Sequence, residues 1–367
     1  MSAEGSPIST LAAPDLHPSL VRAVNRMSRS GLDPRVSEVV LGRGVTTDTF
    51  SQAWSAEGER WRQLAEEAEG GGRTVSAATW YRQAFYCYRL SEFAFTENVP
   101  DKLVAYDQSV GCFVGALRHA RHRPQPVTVP AAGNDFPGYL VMPDGDGPVP
   151  VVLHYYGADG NKEEHYWSTA QHLLARGMGV LIVDGPGQGW SVRHGGIPAR
   201  PDVEVVASAC ADFLATVARA DPERLGMMGS SMGGYYAPRA FLREPRFRAC
   251  LVNSALFDVV AGLWDFYPPI HPQLAYNIQA PSLEATRELY ADFTLDGITN
   301  ADPNRPTCIF HGGADKLIPV SEAHRTAEAF GPSCEVVIWP GGGHNLGNVG
   351  TEARPRMYDW LRDNLLA

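Results

Sequence analysis

The chain has 367 residues, 44% hydrophobic and 20% charged, which fits a large globular core and excludes wholesale disorder. A net charge of -10 with no basic block argues against a nucleic-acid or anionic-membrane surface. No apolar run reaches transmembrane length, no secretory leader pattern opens the chain, and the six cysteines form no Cys-x-x-Cys pair, so a soluble, cytoplasmic, reduced protein is expected.

Residues 1–15 read as a disordered tail. From 16 to about 122 the pattern is helical, with apolar residues at three- and four-residue spacing near 17–29, 47–69, 74–97 and 101–121. Thr74 or Ser76 suits the cap of the third segment, and Asp101 opens the fourth after Pro100. The third segment carries Trp80, Tyr81, Phe85, Tyr86, Tyr88, Phe93 and Phe95. That stripe covers more than one helix face, so part of it is expected to pack on another domain or a second subunit. His119 and His122 read as surface or interface histidines, with no third metal ligand nearby.

The composition changes at Arg121-His-Arg-Pro-Gln-Pro126, and the period becomes two. Val127–Val129 and Phe136–Met142 read as strands around a Gly133-Asn-Asp135 turn. Val149–His154 reads as a strand covered on both faces, followed by a helix over 162–176 and a strand over Gly179–Asp184. The glycines of Gly185-Pro-Gly-Gln-Gly189 have the wrong spacing for a dinucleotide fingerprint. A helix over 202–219, a strand into Gly229, a strand over Ala249–Asn253 and a helical excursion over 257–296 come next. Strand 306–311, helix 321–330, strand 334–339 and helix 352–365 close the chain. This alternation predicts an α/β domain with a mostly parallel, doubly covered sheet whose active loops lie at the strands' carboxyl ends.

An apolar strand ends in Gly229-Ser-Ser-Met-Gly233 and a helix starts at once. A Gly-x-Ser-x-Gly elbow forces its central residue into a strained conformation and lifts the hydroxyl from the sheet, which singles out Ser231 over Ser230. Composition alone yields such a pattern in roughly one chain of this kind in five, so context must decide. A serine hydroxyl needs a base, and the base an orienting carboxylate. The last strands run into Gly312-Gly-Ala-Asp315 and Pro340-Gly-Gly-Gly-His344, giving Asp315 and His344 in the required order. His311 precedes the acid and reads as a buried hydrogen-bonding residue, and Asp184 as fixing a turn. The oxyanion donors expected are the backbone N–H groups of Met232 and of Gly157, with Tyr156 and Ala158 within one residue of the latter. Lys162, Glu163 and Glu164 open a helix, where acids in a first turn favour the dipole.

The elbow and late loops resemble those of the α/β-hydrolase superfamily. More narrowly the chain resembles the group of 2,6-dihydroxypseudooxynicotine hydrolase, the fermentation-respiration-switch esterases and the polyketide-shortening hydrolases. The residues carrying this are Gly157-Ala-Asp-Gly-Asn-Lys-Glu-Glu164, Asp184-Gly-Pro-Gly-Gln-Gly189, Gly229–Gly234, Glu244-Pro-Arg246 and Trp264-Asp265. The resemblance implies an α/β-hydrolase fold over 125–367, a helical cap and dimerisation domain over 16–124, and a cap insertion over about 257–296. It also implies a homodimer, no metal or organic cofactor, and cleavage of carbon–carbon bonds beside a ketone, for which Asp265 is the nearest acid. Tyr155 and Tyr156 replace the glycine-like residues usual before the oxyanion loop, so two phenols are expected at the reacting oxygen. Trp264, Asp265 and Tyr267 are expected at the substrate, since an aromatic lid suits an apolar, ring-containing molecule.

The function expected is a cofactor-independent serine hydrolase acting on an ester or ketone-adjacent carbon–carbon bond of a medium-sized apolar, aromatic or polyketide-like molecule. The same triad would serve a tailoring lyase or acyltransferase, for example in acetate elimination. A non-catalytic ligand-binding protein is the third reading, and the intact triad speaks against it.

Overall fold

The computed structural model describes residues 15–366 other than positions 98, 300, 301 and 303, so the tail expected over 1–15 lies, except for Asp15, outside the described residues. The chain divides into two compact units, one ending at Arg123 and the other beginning at Pro124.

The first unit is helical: α1 (Pro18–Ser30), α2 (Pro34–Leu41), α3 (Phe50–Gly70), α4 (Thr74–Phe93) and α5 (Pro100–Leu117). Three of these begin with proline, whose fixed φ suits the first helical position and whose missing N–H costs nothing there. Helix α2 was not anticipated; Asp33 caps it by accepting from Arg35 N–H at 2.8 Å. Thr74 is the first residue of α4, after an Arg73 cap with no side-chain bond. The aromatic stripe of α4 finds partners inside this unit: Tyr86 donates to Ser30 O at 2.5 Å, Tyr88 to Glu59 at 3.0 Å, and the Phe85 ring lies 6.1 Å from that of Phe113.

The second unit is built on an eight-stranded sheet of order β1-β2-β4-β3-β5-β6-β7-β8. The strands are β1 (Gln125–Ala131), β2 (Asn134–Val141), β3 (Val149–Tyr155), β4 (Gly179–Val183), β5 (Ala220–Ser230), β6 (Phe247–Asn253), β7 (Thr307–Gly312) and β8 (Cys334–Trp339). The β1–β2 and β2–β4 pairs are antiparallel and the others parallel. The turn between β1 and β2 falls on Ala132 and Gly133, both at positive φ. Val151, Val152 and Leu153 are buried on both faces of β3, each contributing about 1.5–3 kcal/mol to burial.

Between β3 and β4 a π-helical turn, Tyr166–Ala170, precedes the short α6 (Gln171–Leu174), where one continuous helix had been expected. The remaining helices before the cap are α7 (Gly189–Arg193), α8 (Glu204–Ala215) and α9 (Gly233–Arg243). The insertion after β6 holds a π-helical turn (Val260–Trp264), a 3-10 turn (Pro268–Ile270), α10 (His271–Ile278) and α11 (Leu283–Leu289). Its two ends meet in an Asp258–Thr294 bridge, with Val259 N–H donating to Phe293 O and Leu295 N–H to Phe257 O at 3.0 and 2.9 Å. Helices α12 (Val320–Phe330) and α13 (Gly350–Leu365) complete the unit.

The sheet order reverses at β3: the chain moves to β4 on one side of it and to β5 on the other. A crevice opens at such a switch point, outside the carboxyl ends of the strands. Ser231, at the end of β5, and Gly157, just beyond β3, stand there together.

Candidate active site

Ser231 has φ +57°, a left-handed conformation unfavourable for a residue with a side chain. Its N–H donates to Asn253 O at 3.1 Å and its carbonyl accepts from Gly234 N–H at 2.6 Å, which hold the turn. The flanking glycines are demanded by space. A Cβ on Gly229 would lie 2.0 Å from Gly233 O, and one on Gly233 would lie 2.3 Å from Tyr155 O. Strand and helix can therefore approach closely enough to leave the serine at the apex.

His344 Nε2 lies 3.0 Å from Ser231 Oγ, and His344 Nδ1 lies 2.9 Å from Asp315 Oδ2. A carboxylate only accepts, so Nδ1 carries the proton and Nε2 is left to accept from the serine hydroxyl. Asp315 follows β7 and is anchored by four donors. Leu317 and Ile318 N–H reach Oδ1 at 2.8 and 3.1 Å, while Ser254 Oγ reaches Oδ2 at 3.1 Å beside His344. Burial pushes the Asp315 carboxyl up, but the charge and hydrogen bond of His344, with the two backbone donors, outweigh it and hold it below its usual value. The Asp315 side chain is fully covered, whereas that of His344 keeps 17% of its surface exposed and Ser231 is half-buried, so the histidine and serine are open to an incoming molecule.

Met232, directly after Ser231, has φ -57° and ψ -36° and leads into α9, so its N–H belongs to the positive end of that helix. A Cβ on Gly157 would lie 3.4 Å from Ser231 Cβ and 3.7 Å from Ser231 Oγ, which puts this backbone in van der Waals reach of the hydroxyl. His311 is buried, with Nε2 3.1 Å from Ile318 O and 3.8 Å from Asp315 Oδ2, and burial lowers its pKa.

The residues expected at the substrate have these protein partners in the structure. Tyr155 points into the core, its ring 5.9 Å from that of Tyr236. Tyr156 donates its hydroxyl to Asp184 Oδ1, and its ring stacks on His165 at 4.8 Å. The Tyr155 ring thus lies in the core beside Tyr236 and the Tyr156 hydroxyl on Asp184, since neighbouring residues of an extended chain face opposite sides. Asp265 is exposed and ion-paired with Arg287 at 3.0 Å. Trp264 is buried and stacks on His271 at 3.7 Å, so it packs the insertion. Tyr267 is partly buried against the core.

Lys162, Glu163 and Asp184 form a buried ionic group instead of a solvated first turn. Lys162 Nζ lies 2.8 Å from Asp184 Oδ2 and 2.9 Å from Glu163 Oε1. Asp184 also accepts from Lys162 N–H at 2.9 Å and Trp190 N–H at 2.8 Å, so it fixes the turn after β4 and ties it to the loop after β3. Two carboxylates share one ammonium. Burial pushes both up; the Lys162 charge and four donors outweigh it at Asp184, while Glu163 stays raised. Ser254 and this ionic group were invisible as chemistry in the sequence, although Ser254 does directly follow a strand's carboxyl end.

The family described as Esterase FrsA-like matches residues 22–263. The chain belongs to the FrsA-like esterase family. The prolyl oligopeptidase family also matches, over residues 164–366. Alpha/beta hydrolase xenA of Xenoacremonium sinensis is 32% identical, covering 71% of this chain and 63% of its own length. The 2,6-dihydropseudooxynicotine hydrolase of Paenarthrobacter nicotinovorans is 27% identical over 87% of this chain and 85% of its own. A crystal structure of 2,6-dihydroxy-pseudo-oxynicotine hydrolase superposes with a TM-score of 0.82 at 25% identity, covering 93% of this chain and 95% of that one. The chain spans about three fifths of the length of the first fungal relatives it matches. With this family and the mostly parallel eight-stranded sheet, the protein is an α/β-hydrolase. Among the described residues no helix is long and apolar enough to cross a membrane.

Proposed function

We propose that this α/β-hydrolase is a serine hydrolase that cleaves an ester or a ketone-adjacent carbon–carbon bond in a medium-sized apolar, aromatic or polyketide-like molecule. The observation that carries the reading is the continuous relay from Ser231 Oγ through His344 to Asp315, at 3.0 and 2.9 Å. His344 takes the hydroxyl proton as Ser231 attacks the carbonyl, and Asp315 stabilises the imidazolium. The N–H groups of Met232 and Gly157 receive the oxyanion. His344 then returns its proton to the leaving group, and water resolves the acyl-enzyme with His344 as base. The three side chains supply nucleophile, base and orienting charge. The substrate class is supported by the name of the Paenarthrobacter nicotinovorans relative, a hydrolase of 2,6-dihydropseudooxynicotine.

A fluorophosphonate followed by peptide mass spectrometry is expected to label Ser231, and reaction in oxygen-18 water to place label in the released acid. Folded protein left unlabelled at Ser231 sinks the reading. The assembly proposed is a homodimer, which light scattering on the eluted protein checks.

A further inference from the structure

Three successive carbonyls of the loop after β3 are held by two side-chain amides. Gln188 Nε2 donates to Tyr156 O at 2.6 Å and lies 3.4 Å from Gly157 O. Asn277 Nδ2 donates to Ala158 O at 2.7 Å. Both side chains are buried, and they come from different parts of the unit: Gln188 from the loop after β4, Asn277 from cap helix α10. Asn277 is itself fixed, since its Oδ1 accepts from Gln273 at 2.6 Å and its backbone carbonyl accepts from Ala199 N–H at 2.8 Å.

Carbonyl and N–H point in opposite directions across a trans peptide, and the described residues contain no cis peptide. Drawing Tyr156 O toward Gln188 turns the Gly157 N–H away from Gln188, and drawing Gly157 O the same way turns the Ala158 N–H. A loop free to rotate these peptides would present carbonyl oxygens to a developing negative charge, which repel it where N–H groups would stabilise it.

We propose that Gln188 and Asn277 are positioning residues that set the peptide orientation of the oxyanion loop at 156–158. The inference rests on the reading of Ser231 as nucleophile. Neither amide touches the reacting atoms; each acts through the backbone whose carbonyl it holds. Because Asn277 belongs to the insertion, the insertion bears on the chemical step through Ala158 O.

The test compares wild type with Gln188→Met and Asn277→Leu, which keep volume and remove the donors. The readouts are kcat and KM on a p-nitrophenyl ester, and affinity for a trifluoromethyl ketone, which forms an anionic tetrahedral adduct. Expected is a parallel fall of roughly 10- to 100-fold in kcat and ketone affinity in each variant, with KM moving by less than about threefold. A merely structural role would not move kcat and ketone affinity together at constant KM. Folded variants that keep both within about twofold of wild type overturn the proposal. Wild type that fluorophosphonate fails to label at Ser231 overturns the serine reading, and the proposal with it; labelled wild type with unaffected variants overturns the proposal alone. Should both variants fail to fold, the wild-type ketone adduct decides: an oxyanion within about 2.7–3.1 Å of Gly157 N supports the proposal, and one out of reach overturns it.

Discussion

Ser254 donates its hydroxyl proton to Asp315 Oδ2 at 3.1 Å, the same carboxylate oxygen that faces His344. Its oxygen also accepts from Asn345 N–H at 2.9 Å, so one hydroxyl ties the acid loop to the residue after the histidine. A hydrogen bond to a charged group is worth about 1.5–3 kcal/mol, so Ser254→Ala is expected to lower kcat by about tenfold or more. Steady-state rates on a p-nitrophenyl ester check this.

Asp315 contributes to the response to acid, alongside other depressed carboxylates such as Glu59 and Glu244. Its folded pKa is depressed, so the stability it contributes is present above the unfolded value of about 3.9 and is lost as pH falls through the lower folded value. Asp315→Asn should therefore flatten the loss of stability below about pH 3.9 while cutting kcat by roughly 10^4-fold. Urea unfolding across the acid range reads the first effect; an unchanged slope would contradict it.

The strain at Ser231 separates two inactive variants. Ser231→Ala and Ser231→Gly are both expected to lose activity by roughly 10^4- to 10^6-fold. Only glycine relaxes the positive φ, so Ser231→Gly should be the more stable by about 1 kcal/mol. Thermal melts of the pair at one pH make the comparison.

Tyr155 has a buried hydroxyl without a hydrogen-bond partner among the described residues, deep in the core. Removing an unsatisfied buried hydroxyl saves its desolvation cost, so Tyr155→Phe should gain about 1 kcal/mol and keep full activity. A large fall in kcat would return this phenol to the reacting oxygen.

The buried ionic group yields opposite effects at neighbouring positions. Lys162→Met leaves two carboxylates without their cation and should cost about 3–5 kcal/mol. Glu163 has a raised folded pKa, so its contribution is fully present below the unfolded value of about 4.3 and is lost as pH rises through the folded value. Glu163→Gln should accordingly be more stable than wild type at neutral pH by on the order of 1 kcal/mol, the gain vanishing in acid. Denaturant melts at two pH values test the sign.

Strand ends flanked by glycines are a local signal, and through them Ser231, Asp315 and His344 could be placed from sequence on the loops that the structure brings together. The parallel sheet was equally legible, because strands buried on both faces read as unbroken apolar runs. Helix α2 escaped because its eight residues are too short to show periodicity, although Asp33-Pro34 marks its start. The partners of Tyr155 and Asp265 escaped for a different reason. Which face a strand-end or cap side chain takes depends on partners remote in sequence, here Tyr236 and Arg287. The same holds for Gln188 and Asn277, whose acceptors are 32 and 119 residues away. No pattern along the chain announces such pairings.

The Asp258–Thr294 bridge closes the neck of the insertion, and Glu322 on α12 seals it by accepting from Phe257 and Asp258 N–H at 3.0 and 2.9 Å. Between those two residues the segment touches the rest of the unit again through Asn277, which reaches Ala158 O and Ala199 N–H. The neck brings the two ends of the segment together, so a replacement of different length can start and finish at the same two positions. A library grafted between positions 258 and 294 is the economical route to redirecting this enzyme toward new molecules, provided each graft restores a donor to Ala158 O.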